Sequence, residues 1–213
     1  MSGYTHILFD HDGVLVDTEH LYYRSTRETL AAMGFELPLD TYLSIQAVGG
    51  NAWTCMLDAG YTQAQVAEKR RERNILYQHY LSTENIDIVD VEKVLLRLKR
   101  RLTLAIVTTA RQEDFDLIHA QRSIIEHMQL ILTNKDYARS KPHPDPYLAA
   151  LDHFEIEPSR ALVVEDSERG LKAAVAAGID CAVVAHPFTA PQDFSAATYR
   201  LQNLTELIEL LDA

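Results

Sequence analysis

The feature that most limits what this chain can fold into is a repeated alternation of short aliphatic runs with helix-period stretches. Residues 6–9, 102–107, 130–132, 161–164 and 181–184 are apolar runs too short for buried helices and rich in β-branched and aliphatic side chains. Between and after them, the spacing predicts helices over 91–101, 112–127, 147–154, 168–177 and 204–211. The first sets Val94, Leu95 and Leu98 on one face with Lys and Arg opposite. Gly178 follows the 168–177 stretch as a C-terminal stop. Strands alternating with single helices demand an α/β fold, a parallel sheet with right-handed crossovers. Ligands of such sheets gather at the carboxyl ends of the strands. Two predicted strands end in acid, at Asp10 and at Glu165-Asp166, and one ends in hydroxyls, at Thr108-Thr109. These three tips are expected to face one crevice.

Residues 17–81 have a different texture. Helical spacing at Tyr22, Thr26, Thr29, Leu30 and Met33 is interrupted at Gly34, Pro38, Gly49-Gly50 and Gly60, with no convincing strand. This stretch is expected to be a helical module. Two basic runs on predicted helices, Lys69 to Arg73 and Arg97 to Arg101, are read as solvated faces.

Charge narrows the function. Twenty basic residues against thirty-one acidic ones give a net charge of -11, the opposite of what a nucleic-acid backbone reader carries. An acidic protein that handles phosphate must do so at a local site with a cation to help. Cys55 and Cys181 sit in apolar contexts and are read as small core residues, not as a disulfide framework. No apolar run approaches the roughly 18 residues of a membrane span, and the N-terminus lacks the basic region of a signal peptide. A cytoplasmic protein, monomeric by default, with no nucleic-acid or membrane partner is expected.

The acids acquire meaning together. Asp10-His11-Asp12-Gly13 alone reads as a turn as readily as a site. Thr108 alone reads as a helix cap, and Lys141, in a proline-rich loop, as a surface residue. Adjacent carboxylates at Glu165-Asp166 repel one another unless a cation is present. Assembled, carboxylates from two strand tips make a hard oxygen cage suited to Mg²⁺. Lys141 and Thr108 add a cation and a donor for phosphate oxygens. Asp10 can then attack phosphorus, and Asp12 can protonate the leaving oxygen. No His or Cys spacing points to zinc.

Four segments in order, ILFDHDGVLVDTE, LAIVTTA, SKPHPDPYLAA and ALVVEDSERGLKAAVAAG, make the chain resemble the haloacid dehalogenase superfamily, in its phosphatase and phosphomutase branch. The resemblance implies a Rossmann-like three-layer core over 1–16 and 86–213 and an inserted helical cap over 17–85. It implies that Asp10 is the nucleophile and Asp12 the general acid and base, with its main-chain carbonyl on the metal. Asp166 becomes a metal ligand, and Glu165 supports the metal directly or through water. Thr108, Thr109 and Lys141 hold the phosphoryl group, and the Lys141-Pro142 peptide is expected to be cis.

The family's metal-free dehalogenases lack the second acid, so Asp12 and Glu165-Asp166 favour phosphate chemistry. The mutases of the family carry a His where this chain has Tyr22, and an Arg shortly after a cap glycine where it reads Gly49-Gly50-Asn51-Ala52-Trp53. The expectation is a Mg²⁺-dependent phosphatase of a small phosphorylated metabolite, phosphoglycolate- or sugar-phosphate-type. The alternatives are a β-phosphoglucomutase-like mutase and a non-catalytic phosphate-binding protein. Arg24, Asn51 and Trp53 are candidate substrate contacts, Tyr22 and Tyr23 are cap core or cleft lining, and His11 either packs beside the turn or touches substrate.

Overall fold

Six parallel strands run in the order β3-β2-β1-β4-β5-β6 in a computed structural model that describes residues 3–212. They are β1 (His6–Phe9), β2 (Thr103–Val107), β3 (Leu130–Leu132), β4 (Ala161–Glu165), β5 (Asp180–Val184) and β6 (Tyr199–Leu201). β1 lies at the centre, with Phe9 in register with Ile106 of β2 and Val164 of β4. The three tips noted in the sequence therefore emerge side by side.

Period-two alternation sorts the strand side chains into two cores. Ile7, Phe9, Leu104, Ile106, Leu162 and Val164 face helices α5 (Val91–Leu98), α6 (Gln112–His119) and α9 (Glu206–Asp212). Leu8, Ala105, Val107, Val163 and Cys181 face α7 (Asp145–Phe154) and α8 (Glu168–Ala176). Every residue of β4 is buried, as a strand covered on both faces requires. The result is the expected three-layer α/β core.

The helical module is α1 (Glu19–Ala31), α2 (Leu39–Ala47), α3 (Thr54–Asp58) and α4 (Gln63–Thr83). It has its own core of Tyr23, Leu30, Tyr42, Leu43, Trp53, Met56 and Val66. Thr62 and Gln65 form a reciprocal capping box that starts α4. The module's two connections to the sheet lie together: Asp17 N–H donates to Ile86 O at 2.9 Å, and Val16 bridges to Asp87.

Some boundaries differ from the sequence expectation. The stretch 112–127 is not one helix; α6 stops at His119 and a separate 3-10 turn covers Ile124–His127. α5 ends at Leu98, three residues early, and β6 was not foreseen at all. Cys181 is buried, whereas Cys55 is only half-buried.

Candidate active site

The turn after β1 begins where Asp10 N–H donates to Val164 O at 2.8 Å. It then tightens, with Gly13 N–H donating to Val16 O at 2.7 Å. Gly13 has φ +82°, and a Cβ there would overlap the Asp166 carboxylate. Glycine is needed both for the left-handed backbone and for the close approach of the two acidic segments. From this one tight turn Asp10 reaches the acids at the tip of β4, while Asp12 turns to Thr18 and to Thr108 at the tip of β2.

Lys141 joins the tips. Its buried ammonium donates to Asp10 Oδ1 at 2.8 Å, Glu165 Oε1 at 2.7 Å and the Val107 carbonyl at 2.9 Å, one acceptor from each of β1, β4 and β2 or the turn beyond. The Lys141-Pro142 peptide is cis, as expected. Burial disfavours the charged lysine, but Asp10 and Glu165 outweigh it and hold its pKa above the ordinary range. Burial, reinforced by Glu165, pushes the Asp10 carboxyl up to about 6 against the pull of Lys141.

The two acids at the tip of β4 differ in their surroundings. Glu165 is saturated: Oε1 accepts from Lys141 and from Tyr147 Oη at 2.7 Å, and Oε2 accepts from Ser167 Oγ at 2.9 Å. Both carboxylate oxygens of Asp166 are buried with no hydrogen-bond partner. Burial and the charges of Glu165, Glu19 and Asp10 raise its pKa well above the usual range. Asp10, Glu165 and Asp166 each place an oxygen within 4.8 Å of the others. Crowded acids with two orphaned oxygens are what a divalent cation relieves, and all-oxygen donors suit a hard ion. The residues present therefore fit a divalent metal.

Asp12 is held differently. Its Oδ1 accepts from Thr18 Oγ1, and its Oδ2 from Thr108 Oγ1 at 3.3 Å. His11 Nδ1 lies 3.4 Å from Oδ2. Burial pushes this carboxyl up, but His11 and Thr18 outweigh it and leave it below the ordinary range. His11 is fully buried, and its Nε2 shares a hydrogen bond with His119 Nε2 at 2.9 Å, one donating and the other accepting. It packs beside the turn, against Phe115, and does not line the cleft.

The cleft above has a volume of about 530 Å³. Asp12, Thr109, Ala110 and Ser140 form its floor, and Tyr22, Tyr42, Asn51, Trp53 and Arg73 line its upper wall. Thr108 is buried below, accepting from Ala110 N–H at 3.0 Å. Of the cap candidates, Tyr22, Asn51 and Trp53 reach this cleft. Arg24 does not; its guanidinium pairs with Glu28 and Glu84 and lies over the Tyr80 ring. Tyr23 belongs to the cap core, donating to Leu37 O. The run from Lys69 to Arg73 is also not wholly solvated, because Arg73 is buried. Further residues that the sequence did not single out are Thr18, Tyr147, and the pair of Arg169 with Glu19 at 3.5 Å. Burial, with the charges of Asp12 and Asp10, pushes Glu19 up to about 7 against the pull of Arg169.

Residues 7–184 match the family model described as haloacid dehalogenase-like hydrolase. The chain belongs to the haloacid dehalogenase-like hydrolases. The chain is similar to protein CbbY of Rhodobacter capsulatus, 29% identical over 215 residues, covering 93% of each chain. The N-acetylmuramic acid 6-phosphate phosphatase of Pseudomonas aeruginosa is 27% identical, over 97% of this chain and 94% of its own. The crystal structure of CbbY from Rhodobacter sphaeroides in complex with phosphate superposes with a TM-score of 0.79 at 26% identity, covering 96% of each chain. Fold, family and carboxylate cluster make this haloacid dehalogenase-like protein an enzyme with hydrolase activity of the phosphatase type. No helix among its described residues is long and apolar enough to cross a membrane.

Proposed function

We propose that the protein is a Mg²⁺-dependent phosphatase of a small phosphorylated metabolite, working through an aspartyl-phosphate on Asp10. The observation that carries this is the asymmetry among the acids: Glu165 is saturated by Lys141, Tyr147 and Ser167, while Asp166 and the second oxygen of Asp10 remain open. On this reading Asp10, Asp166 and the Asp12 main-chain carbonyl would hold the metal, and Glu165 would support it directly or through water. The core, 1–16 and 86–213, supplies the chemistry, and the cap, 17–85, covers it. When bound, the metal supplies charge neutralisation on the transferring group.

Asp10 Oδ2 attacks phosphorus, a P–O bond forms to the carboxylate, and the bond to the leaving oxygen breaks. Lys141 fixes Oδ1, so Oδ2 is the free oxygen, and the ammonium offsets charge that builds on the phosphoryl group. Thr109 and the backbone beyond Thr108 bind the equatorial oxygens. Asp12, ionised before the substrate arrives, takes up a proton as it binds and gives that proton to the leaving oxygen. An arriving phosphate dianion raises the affinity of Asp12 for that proton. Asp12 then takes a proton from the water that attacks the aspartyl-phosphate, and phosphate leaves. The cap keeps bulk water from Asp10 until the leaving group has gone. Gly49 of the cap sits against Pro142, next to Lys141, where a Cβ would come within 2.6 Å of the proline ring.

The test is phosphate release from a panel of small phosphate esters, with Mg²⁺ and with chelator, for wild type and Asp10→Asn. Release that requires Mg²⁺ and is lost in the variant is expected. Release that persists in Asp10→Asn would refute the nucleophile, and isomerisation without net phosphate release would identify a mutase instead.

A further inference from the structure

We propose that the ester this enzyme hydrolyses carries a second anionic group, remote from the reacting phosphoryl, and that Arg73 is the residue that selects it. The inference rests on the phosphatase function proposed above and extends it to the tail of the substrate.

Arg73 is 5% exposed and stands in the upper wall of the cleft, opposite the floor formed by Asp12 and Thr109. Its Nη1 donates to Thr26 Oγ1 at 3.1 Å and its Nε to Asn74 Oδ1 at 3.0 Å. Its guanidinium carbon lies 4.0 Å from the centre of the Tyr22 ring and 6.0 Å from that of Trp53. None of these partners is an anion, and among the described residues Arg73 forms no ion pair. Its Nη2 makes no hydrogen bond among them either, and is not among the sealed polar atoms of the interior.

The other cleft arginines are accounted for. Arg111 holds Asp114 with two bonds, at 2.7 and 2.9 Å. Arg169 faces Glu19. Arg70 is solvated and donates to Asn51 Oδ1 at 2.7 Å. Burying a guanidinium without a counter-charge is unfavourable, and stacking on aromatic faces offsets only part of that. The missing charge has one place to arrive from, the cleft. A guanidinium held by Thr26 and Asn74 and stacked on a ring is fixed in orientation, so a phosphate or carboxylate meets a preformed fork. Gln46, Asn51 and Asn74 supply donors and acceptors between the two ends of the cleft, and Tyr42 and Tyr77 supply apolar faces. That lining suits a short polyhydroxylated carbon chain, phosphorylated at the reacting end and anionic at the other.

Three matched esters test this: the same phosphorylated polyol with a neutral hydroxyl, a carboxylate or a second phosphate at its far end. The readouts are kcat/KM for phosphate release and calorimetric binding to the Asp10→Asn protein, each with Arg73 intact and as Arg73→Met. With Arg73 intact, an anionic tail is expected to improve kcat/KM and binding about 10- to 100-fold over the neutral one. Arg73→Met should collapse that ratio to about 3-fold or less, and Arg73→Lys should restore part of it. A preference for the phosphate tail identifies a bisphosphate substrate, and one for the carboxylate a phosphorylated acid; either supports the proposal. Equal use of all three tails, or a preference that survives in Arg73→Met, overturns it and leaves the phosphatase intact. If no ester releases phosphate, the phosphatase reading fails. Tail-dependent binding that Arg73→Met abolishes would still support the anion subsite.

Discussion

Replacing Lys141 by Met tests whether one ammonium holds the tips of the sheet together. The substitution keeps the aliphatic stem and removes the charge, so the packing change itself is small. What it leaves is Asp10 and Glu165, both buried, facing each other where Nζ had stood 2.8 and 2.7 Å from them. Removing one partner of a buried ion pair costs about 3–5 kcal/mol. For a domain of this size, each kcal/mol lowers Tm by about 2–4 °C, so a loss of roughly 6–20 °C is expected. The pH dependence has a definite sign. Asp10 already titrates near 6 in the folded protein with Lys141 pulling it down; without that pull it rises further. A carboxyl whose folded pKa lies above its unfolded value of about 3.9 binds the extra proton in the folded state, so stability falls as pH rises between the two. The deficit of Lys141→Met should therefore be small near pH 4, grow through pH 6 and be full at pH 8. Added Mg²⁺ should narrow it, because a divalent cation neutralises the same carboxylates. The assay is thermal unfolding of both proteins from pH 4 to 8, with and without Mg²⁺. A Tm within 2 °C of wild type at pH 8, or a deficit that widens as the pH falls, would refute the reasoning.

Three further perturbations follow from the geometry. Gly13→Ala introduces a Cβ at φ +82° against the Asp166 carboxylate; turnover should drop at least 100-fold, with about 1–3 kcal/mol lost from chemical denaturation, and wild-type kinetics would contradict the close approach. His11→Leu leaves the buried His119 Nε2 without its partner, so about 1–3 kcal/mol of stability should be lost, and the pH–rate profile should shift because Asp12 loses a neighbouring imidazole; an unmoved profile would remove His11 from the mechanism. Gly49→Ala sets a Cβ against Pro142 at φ +66°, which should lower kcat/KM while the melting temperature stays within a few degrees; unchanged kinetics would show that this contact does not govern cap seating.

The sheet and its acids were legible because they follow short-range rules. Apolar runs such as 161–164 end in charge, and a parallel sheet brings such ends together whatever their separation in the chain. What the sequence could not separate were the roles of neighbours. Glu165 and Asp166 are adjacent and chemically alike, yet one is saturated by Lys141, Tyr147 and Ser167 and the other has no partner. That difference is set by α7 and by the first turn of α8. Arg73 is hidden inside a basic run, since Arg70 and Arg71 are exposed and Lys69 half-buried, and only the approach of α1 turns Arg73 inward. A signal existed: Val66, Arg73, Tyr77 and Tyr80 share a helical face, and all four are buried. Arg24 turns away from the cleft because Glu28, one turn on in α1, and Glu84, just past the end of α4, both hold its guanidinium. β6 escaped notice because three residues with a central Arg200 carry no periodicity to detect.

The chain enters the helical module after Val16 and leaves it by Asp87, and these two crossings are hydrogen-bonded neighbours. A segment whose ends meet can be lengthened, shortened or exchanged without redrawing the strand order beneath it. On the proposed function, the hydrolytic apparatus and the device that chooses its molecule occupy separate inheritable tracts. An engineer could transplant the intervening helices onto another sheet of this kind and carry the choice of molecule across, while the recipient kept its own nucleophile.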